Sequence, residues 1–176
     1  MDSKKVKNIR ILVILATATM ATMIFSLTFG KDLILGREQS LQSFALLHFS
    51  GYIFFLLMPV ELAFSYCVSN DFNLILLIGI SLGTAVAAQL IDYLLGYSLS
   101  KKMLDSFFNA KKQKRAIGYI NKYGSFTIFI FNVLPLSSPI ICLASGIIKY
   151  PIKKVVFFST LGLLIKYTLI GLIVAS

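Results

Sequence analysis

The chain alternates long apolar runs with short basic links. Apolar residues dominate 9–29, 41–69, 72–100, 125–148 and 155–175. The first, third and last runs contain no proline. Each holds about 20 residues or more, enough to cross a hydrocarbon core about 30 Å thick as a helix. The second is interrupted at Met58-Pro59-Val60-Glu61 and the fourth at Leu134-Pro135-Leu136-Ser137-Ser138-Pro139. Proline removes a backbone donor, clashes with the preceding turn and pushes the residue before it away from helix. Pro59, Pro135 and Pro139 are therefore expected to break these runs. Each half of the 125–148 run has about ten residues, or roughly 15 Å at helical rise. That is about half a bilayer core. Broken backbone at such depth survives only where protein or a water-filled cavity receives it, and transporters place their sites at such breaks.

The pattern predicts one membrane domain over 1–176. It comprises a spanning helix at 1–30, a first re-entrant hairpin at 41–70 and a spanning helix at 72–100. A basic amphipathic link at 101–122, a second re-entrant hairpin at 125–149 and a last spanning helix at 152–176 follow. Composition agrees: 57% of the residues are hydrophobic and the mean hydropathy is +0.85, which excludes an ordinary soluble domain. The net charge of +10 then points to an anionic membrane surface rather than to nucleic acid, for which no motif accompanies the charge. If both broken runs are hairpins, the N-terminus, the 101–122 link and the 149–154 link share one face with fourteen basic residues, against two at 31–40. Full crossings would spread the charge almost evenly. The positive-inside rule therefore favours two hairpins entering from opposite faces, with the N-terminus in the cytoplasm. The run at 9–29 continues well past a cleavage-like Ala16-Thr17-Ala18, so an uncleaved helix is preferred to a secretory signal. Cys67 and Cys142 lie in apolar runs with no metal spacing, and neither a metal nor a cofactor is expected.

Candidate chemistry is confined to a few polar residues inside apolar runs. Glu61 sits at the first break, and an intramembrane carboxylate is a functional hypothesis by default; capping of exposed backbone donors is the plainer alternative. Asp92 lies about eight residues from Lys101, roughly 12 Å deep at helical rise; it reads as a site residue or as a polar clasp between helices. Lys166 follows Lys154 by about 12 residues, or roughly 18 Å. It either snorkels outward, pairs with Glu61, or meets a lipid phosphate. Asn132, Ser137 and Ser138 supply neutral groups at the second break, for an anion or for local capping. His48 is the single histidine and reads first as a packed residue, then as a proton relay. Gly79, Gly83 and Ala87 recur every four residues and predict a face open to close backbone approach.

Several of these motifs together resemble the DedA family, also called VTT-domain or SNARE-associated Golgi proteins. Pro59-Val60-Glu61 is similar to its Pro-x-acidic motif. Gly79, Gly83, Asp92-Tyr93 and Gly96 resemble its glycine-spaced helix. Tyr123-Gly124, then Phe131-Asn132-Val133-Leu134-Pro135 and Ala144-Ser145-Gly146, resemble its second re-entrant signature, and 157–162 resembles the start of its final helix. The likeness covers roughly 41–175. Asn132 and Ser138 stand where the family usually carries arginines, His48 and Phe49 where it carries a glutamate, and Lys166 near a customary tryptophan.

The resemblance implies an all-α integral membrane protein with three spanning helices and two opposed re-entrant hairpins arranged as an inverted repeat. It implies transport of membrane lipids, often lipid phosphates or phospholipids, in the plasma membrane and with proton coupling in some members. The expected function is therefore a lipid transporter or flippase for a lipid with an anionic phosphate head group. Glu61, Asp92, Asn132, Ser137, Ser138 and Lys166 are its expected substrate- or proton-binding residues. An energy-independent scramblase and a non-transporting scaffold are the alternatives. An enzyme is not expected, and a homo-oligomer is left open, as are the lipid, the direction and the choice of proton or sodium as coupling ion.

Overall fold

The computed structural model describes residues 40–53, 60–98, 110–134 and 138–175. Among these the chain is entirely helical. Seven helices run in order: α1 (Leu41–Tyr52), α2 (Val60–Ser69), α3 (Leu74–Ser98), α4 (Ala110–Tyr123), α5 (Ser125–Val133), α6 (Ser138–Ile147) and α7 (Ile152–Ala175). The expected first span, Pro59, Pro135 and Ser137 lie outside the described residues.

Local chemistry sets the ends. The Ser43 N–H donates to Ser40 Oγ at 3.1 Å and opens α1, a side-chain cap for a donor the helix cannot satisfy itself. Glu61 lies in the first turn of α2, where a carboxylate suits the positive helix end. The second half-helices α2 and α6 have ten residues each and close alike. The Phe72 N–H donates to the Cys67 carbonyl and the Tyr150 N–H to the Ser145 carbonyl. Asp71 (φ 60°) and Lys149 (φ 53°) take the left-handed turn between. This is the Schellman closure. Asn73 then accepts from the Ile75 and Leu76 N–H groups and restarts the chain as α3. Pro151 leads into α7. Pro139, expected as a breaker, instead falls in the first turn of α6, where its missing donor costs nothing. Leu134, at the end of α5, is extended.

Two units emerge, each a pair of short helices followed by a long one of 25 or 24 residues. Their packing is reciprocal. α1 lies on α3 of its own unit and α5 on α7; α2 crosses to α7 and α6 crosses to α3. α3 and α7 touch each other at the centre. Both long helices are apolar enough to cross a membrane. Their outer faces carry exposed Ile75, Leu76, Leu94, Phe157, Leu169 and Ile173, the residues a hydrocarbon solvent accepts. Ser65, Thr84, Ser145 and Thr160 return their hydroxyls to carbonyls one turn back, so few side-chain donors need water.

Close backbone approach occurs elsewhere than Gly79, Gly83 and Ala87 suggest. A Cβ on Gly79 or Gly83 would meet nothing within 4 Å among the described residues. The tight crossing is between α3 and α6. A Cβ on Gly96 would overlap the Leu143 carbonyl, and one on Gly146 would overlap the Tyr93 carbonyl. Gly162 does the same for α5 on α7, where a Cβ would lie 2.7 Å from the Phe129 carbonyl oxygen. The described part of the basic amphipathic link is α4, which packs against protein. Ala116 and Ile120 of α4 are buried in a core with Ile128, Ile141 and Cys142. The apolar face of α4 is thus taken by α5 and α6, and its basic face looks outward.

Candidate functional site

Two buried polar clusters sit where the short helices meet the long ones. The first draws on α1, α2, α3 and α7. Glu61, in the opening turn of α2, forms an ion pair with Lys166 of α7. The Lys166 side chain is 8% exposed and that of Glu61 30%. Lys166 also donates to the Tyr52 hydroxyl at 3.4 Å and lies 5.8 Å from the ring centroids of Tyr52 and Tyr167, within cation–π range. The Tyr52 and Tyr167 hydroxyls are 2.9 Å apart. Tyr167 meets His48 Nε2 at 2.6 Å, and His48 Nδ1 meets Thr84 Oγ1 at 2.7 Å. Phe44 and Phe64, both fully buried, wall the cluster with aromatic contacts to His48 and Tyr167.

The second cluster draws on α3, α5, α6 and α7. Asn132, fully buried, accepts from Gln89 Nε2 at 2.5 Å and donates to the Ile128 carbonyl at 2.8 Å and to Ser159 Oγ at 3.3 Å. Gln89, Asp92 and Gly96 share one face of α3 by their three- and four-residue spacing, the face packed on α5 and α6. Asp92 is buried there. Its Oδ2 and Gln89 Oε1 have no hydrogen-bond partner among the described residues. Gln89 and Ser159 also line a cavity of about 10 Å³ with Val86, Leu90, Val155 and Val156, room for about one water. Ser138 is buried at the start of α6.

The clusters occupy equivalent places. His48 and Asn132 are each the eighth residue of a first half-helix, and Tyr167 and Gln89 each the sixteenth of the long helix they reach. His48 bonds Thr84 of its own unit and Tyr167 of the other. Asn132 bonds Ser159 of its own unit and Gln89 of the other.

The structure thus joins Glu61 to Lys166 and sets Asp92 and Asn132 with Gln89 in the other cluster. Sequence reasoning missed Tyr52, Tyr167, Thr84, Gln89 and Ser159. Gln89, three residues before Asp92, carried a legible signal, a polar pair on one helical face; the two tyrosines, among eight in the chain, did not. Among the described residues no three His, Cys, Asp or Glu converge to hold a metal ion.

Chemically, the first cluster offers a fixed buried cation opposed by an acid that reaches the surface. Lys166 is the one buried cation among the described residues. The second cluster offers acceptors, while the Asn132 amide is already engaged on both sides. No curated protein and no solved structure gives a significant match to the chain. The VTT domain, by contrast, matches residues 41–176, the greater part of the sequence, and the chain belongs to the VTT-domain (DedA) family.

Proposed function

We propose that this protein moves a lipid with an anionic phosphate head group across the plasma membrane, with its N-terminus in the cytoplasm. The carrying observation is the Glu61–Lys166 pair. An ammonium inside an apolar bundle is retained against a desolvation cost. Its partner carboxylate is the more exposed of the two, so an incoming phosphate can take its place. Lysine suits this exchange as a point charge that needs no planar fork. In this reading α1–α2 and α5–α6 are re-entrant hairpins from opposite faces. Their half-helices of about 15 Å meet at the midplane, and rocking of one unit against the other alternates access. The acyl tails stay in the bilayer while the head group passes Lys166.

A second reading, an energy-independent scramblase, draws on Asn132 and Ser138 at the usual arginine positions. The Asn132 amide is engaged within the protein, and neither Asn132 nor Ser138 is a cation that could meet a phosphate. The test is lipid movement in proteoliposomes with and without a pH gradient. The transporter reading expects gradient-dependent movement of a lipid phosphate, lost in Glu61→Gln while the fold persists. Gradient-independent movement of many lipids selects the scramblase. Normal flux in Glu61→Gln sinks the exchange mechanism, and no movement above empty liposomes leaves the scaffold.

A further inference from the structure

We infer that His48, Tyr167 and Tyr52 form a one-way hydrogen-bond relay that holds Lys166 in place as the stationary cation of the site, with His48 as its positioning residue in the neutral Nδ1–H form. The inference rests on counting hydrogens, which the heavy-atom contacts permit.

Thr84 has one hydroxyl hydrogen, and its 2.7 Å contact with the Ile80 carbonyl oxygen requires it, since a carbonyl can only accept. In its 2.7 Å contact with His48, Thr84 is therefore the acceptor and Nδ1–H the donor. Nε2 then carries no hydrogen and accepts from the Tyr167 hydroxyl at 2.6 Å. The Tyr167 oxygen accepts from the Tyr52 hydroxyl at 2.9 Å. The Tyr52 oxygen is left with a lone pair, and Lys166 donates to it. Each hydrogen on Thr84 Oγ1, His48 Nδ1 and the two tyrosine hydroxyls has an acceptor.

The reverse polarity fails at its end. Thr84 would donate to Nδ1, Nε2–H to Tyr167, and Tyr167 to Tyr52. The Tyr52 hydrogen would then lack an acceptor among the described residues, beside an ammonium that has only donors. That arrangement leaves a buried donor unmet and turns a positive end towards a cation. The first order turns the acceptor end of each group towards Lys166, and such chains strengthen cooperatively. The relay ends on a backbone carbonyl, so it is built to orient rather than to pass protons onward.

The consequence goes beyond the lipid reading. Lys166 keeps a polarised acceptor on Tyr52 when Glu61 swings away, so Glu61 is the mobile arm and Lys166 the fixed point. Thr84, His48, Tyr52 and Tyr167 tie α1, α3 and α7 into that fixed frame.

The single histidine makes the test direct: nitrogen NMR of the full chain labelled with ¹⁵N-histidine in lipid at neutral pH. The expected spectrum has one protonated Nδ1 and one bare Nε2. A protonated Nε2, a tautomer mixture or an imidazolium overturns the relay. Lys166→Met is then expected to displace the Nε2 signal more than the Nδ1 signal, although Lys166 is not bonded to His48. Tyr167→Phe, which keeps the ring, is expected to cut that displacement by more than half. An unmoved Nε2 signal, or a displacement that survives Tyr167→Phe as a through-space field would, also overturns it. These spectra do not depend on lipid movement, so the relay and the transport reading fail separately. Where flux is measured, His48→Gln, which retains an N–H donor and an acceptor, is expected to keep more of it than His48→Phe.

Discussion

Glu61 and Lys166 are unequally buried, and that inequality fixes how their removal should register. Glu61→Gln strands an ammonium whose side chain is 8% exposed, whereas Lys166→Met frees a carboxylate that is 30% exposed. Removing one partner of a buried pair costs about 3–5 kcal/mol. Glu61→Gln is expected at the lower end, about 3 kcal/mol, because Tyr52 still accepts from Lys166. The freed Glu61 can turn to water, so Lys166→Met is expected to cost only about 1–2 kcal/mol. The double variant leaves no charge at the first cluster. It is expected to be more stable than Glu61→Gln alone by about 1 kcal/mol or more, since a buried pair replaced by apolar groups is often neutral. Reversible unfolding in mixed micelles, followed by helical circular dichroism, gives the three values and their coupling. Single costs that add to within about 0.5 kcal/mol, or a larger loss from Lys166→Met than from Glu61→Gln, would refute the reasoning.

Five further substitutions bear on the frame. Gly146→Ala or Gly96→Ala puts a Cβ onto backbone of the neighbouring helix, and a loss of about 1–3 kcal/mol is expected in the same unfolding assay. Gly79→Ala and Gly83→Ala, with nothing described nearby, are expected to cost nothing and to stabilise the helix by up to about 1 kcal/mol each. Asn132→Leu removes the acceptor of Gln89 Nε2 and should cost about 1–3 kcal/mol; a neutral result would show that the second cluster finds other partners.

The sequence made the helical class and the two described long helices legible, because apolar run length acts locally. Glu61 and Lys166 stood out because charge in an apolar run is costly wherever the run folds. Their pairing depends on α2 crossing to α7 rather than packing only within its own unit, which no local signal carries. Tyr52 and Tyr167 are legible only as aromatics, since an apolar helix accepts tyrosine on either face. The close contact of Gly96 with α6 and the open face at Gly79 look identical in sequence. Spacing identifies a small-residue face without saying which neighbour uses it. A proline has the same sequence signature whether it breaks a helix or sits in its first turn, as Pro139 does in α6. The basic link showed its amphipathic period plainly, yet the period is the same whether lipid or α6 covers Ala116 and Ile120.

The most direct measurement is the movement of head-group-labelled lipids in proteoliposomes of the unsubstituted chain, comparing anionic phosphate lipids with a neutral glycolipid of the same tails. A fixed Lys166 that exchanges Glu61 for phosphate predicts movement of the anionic lipids well above empty liposomes and little of the neutral one. Equal movement of both, or none of either, would contradict it.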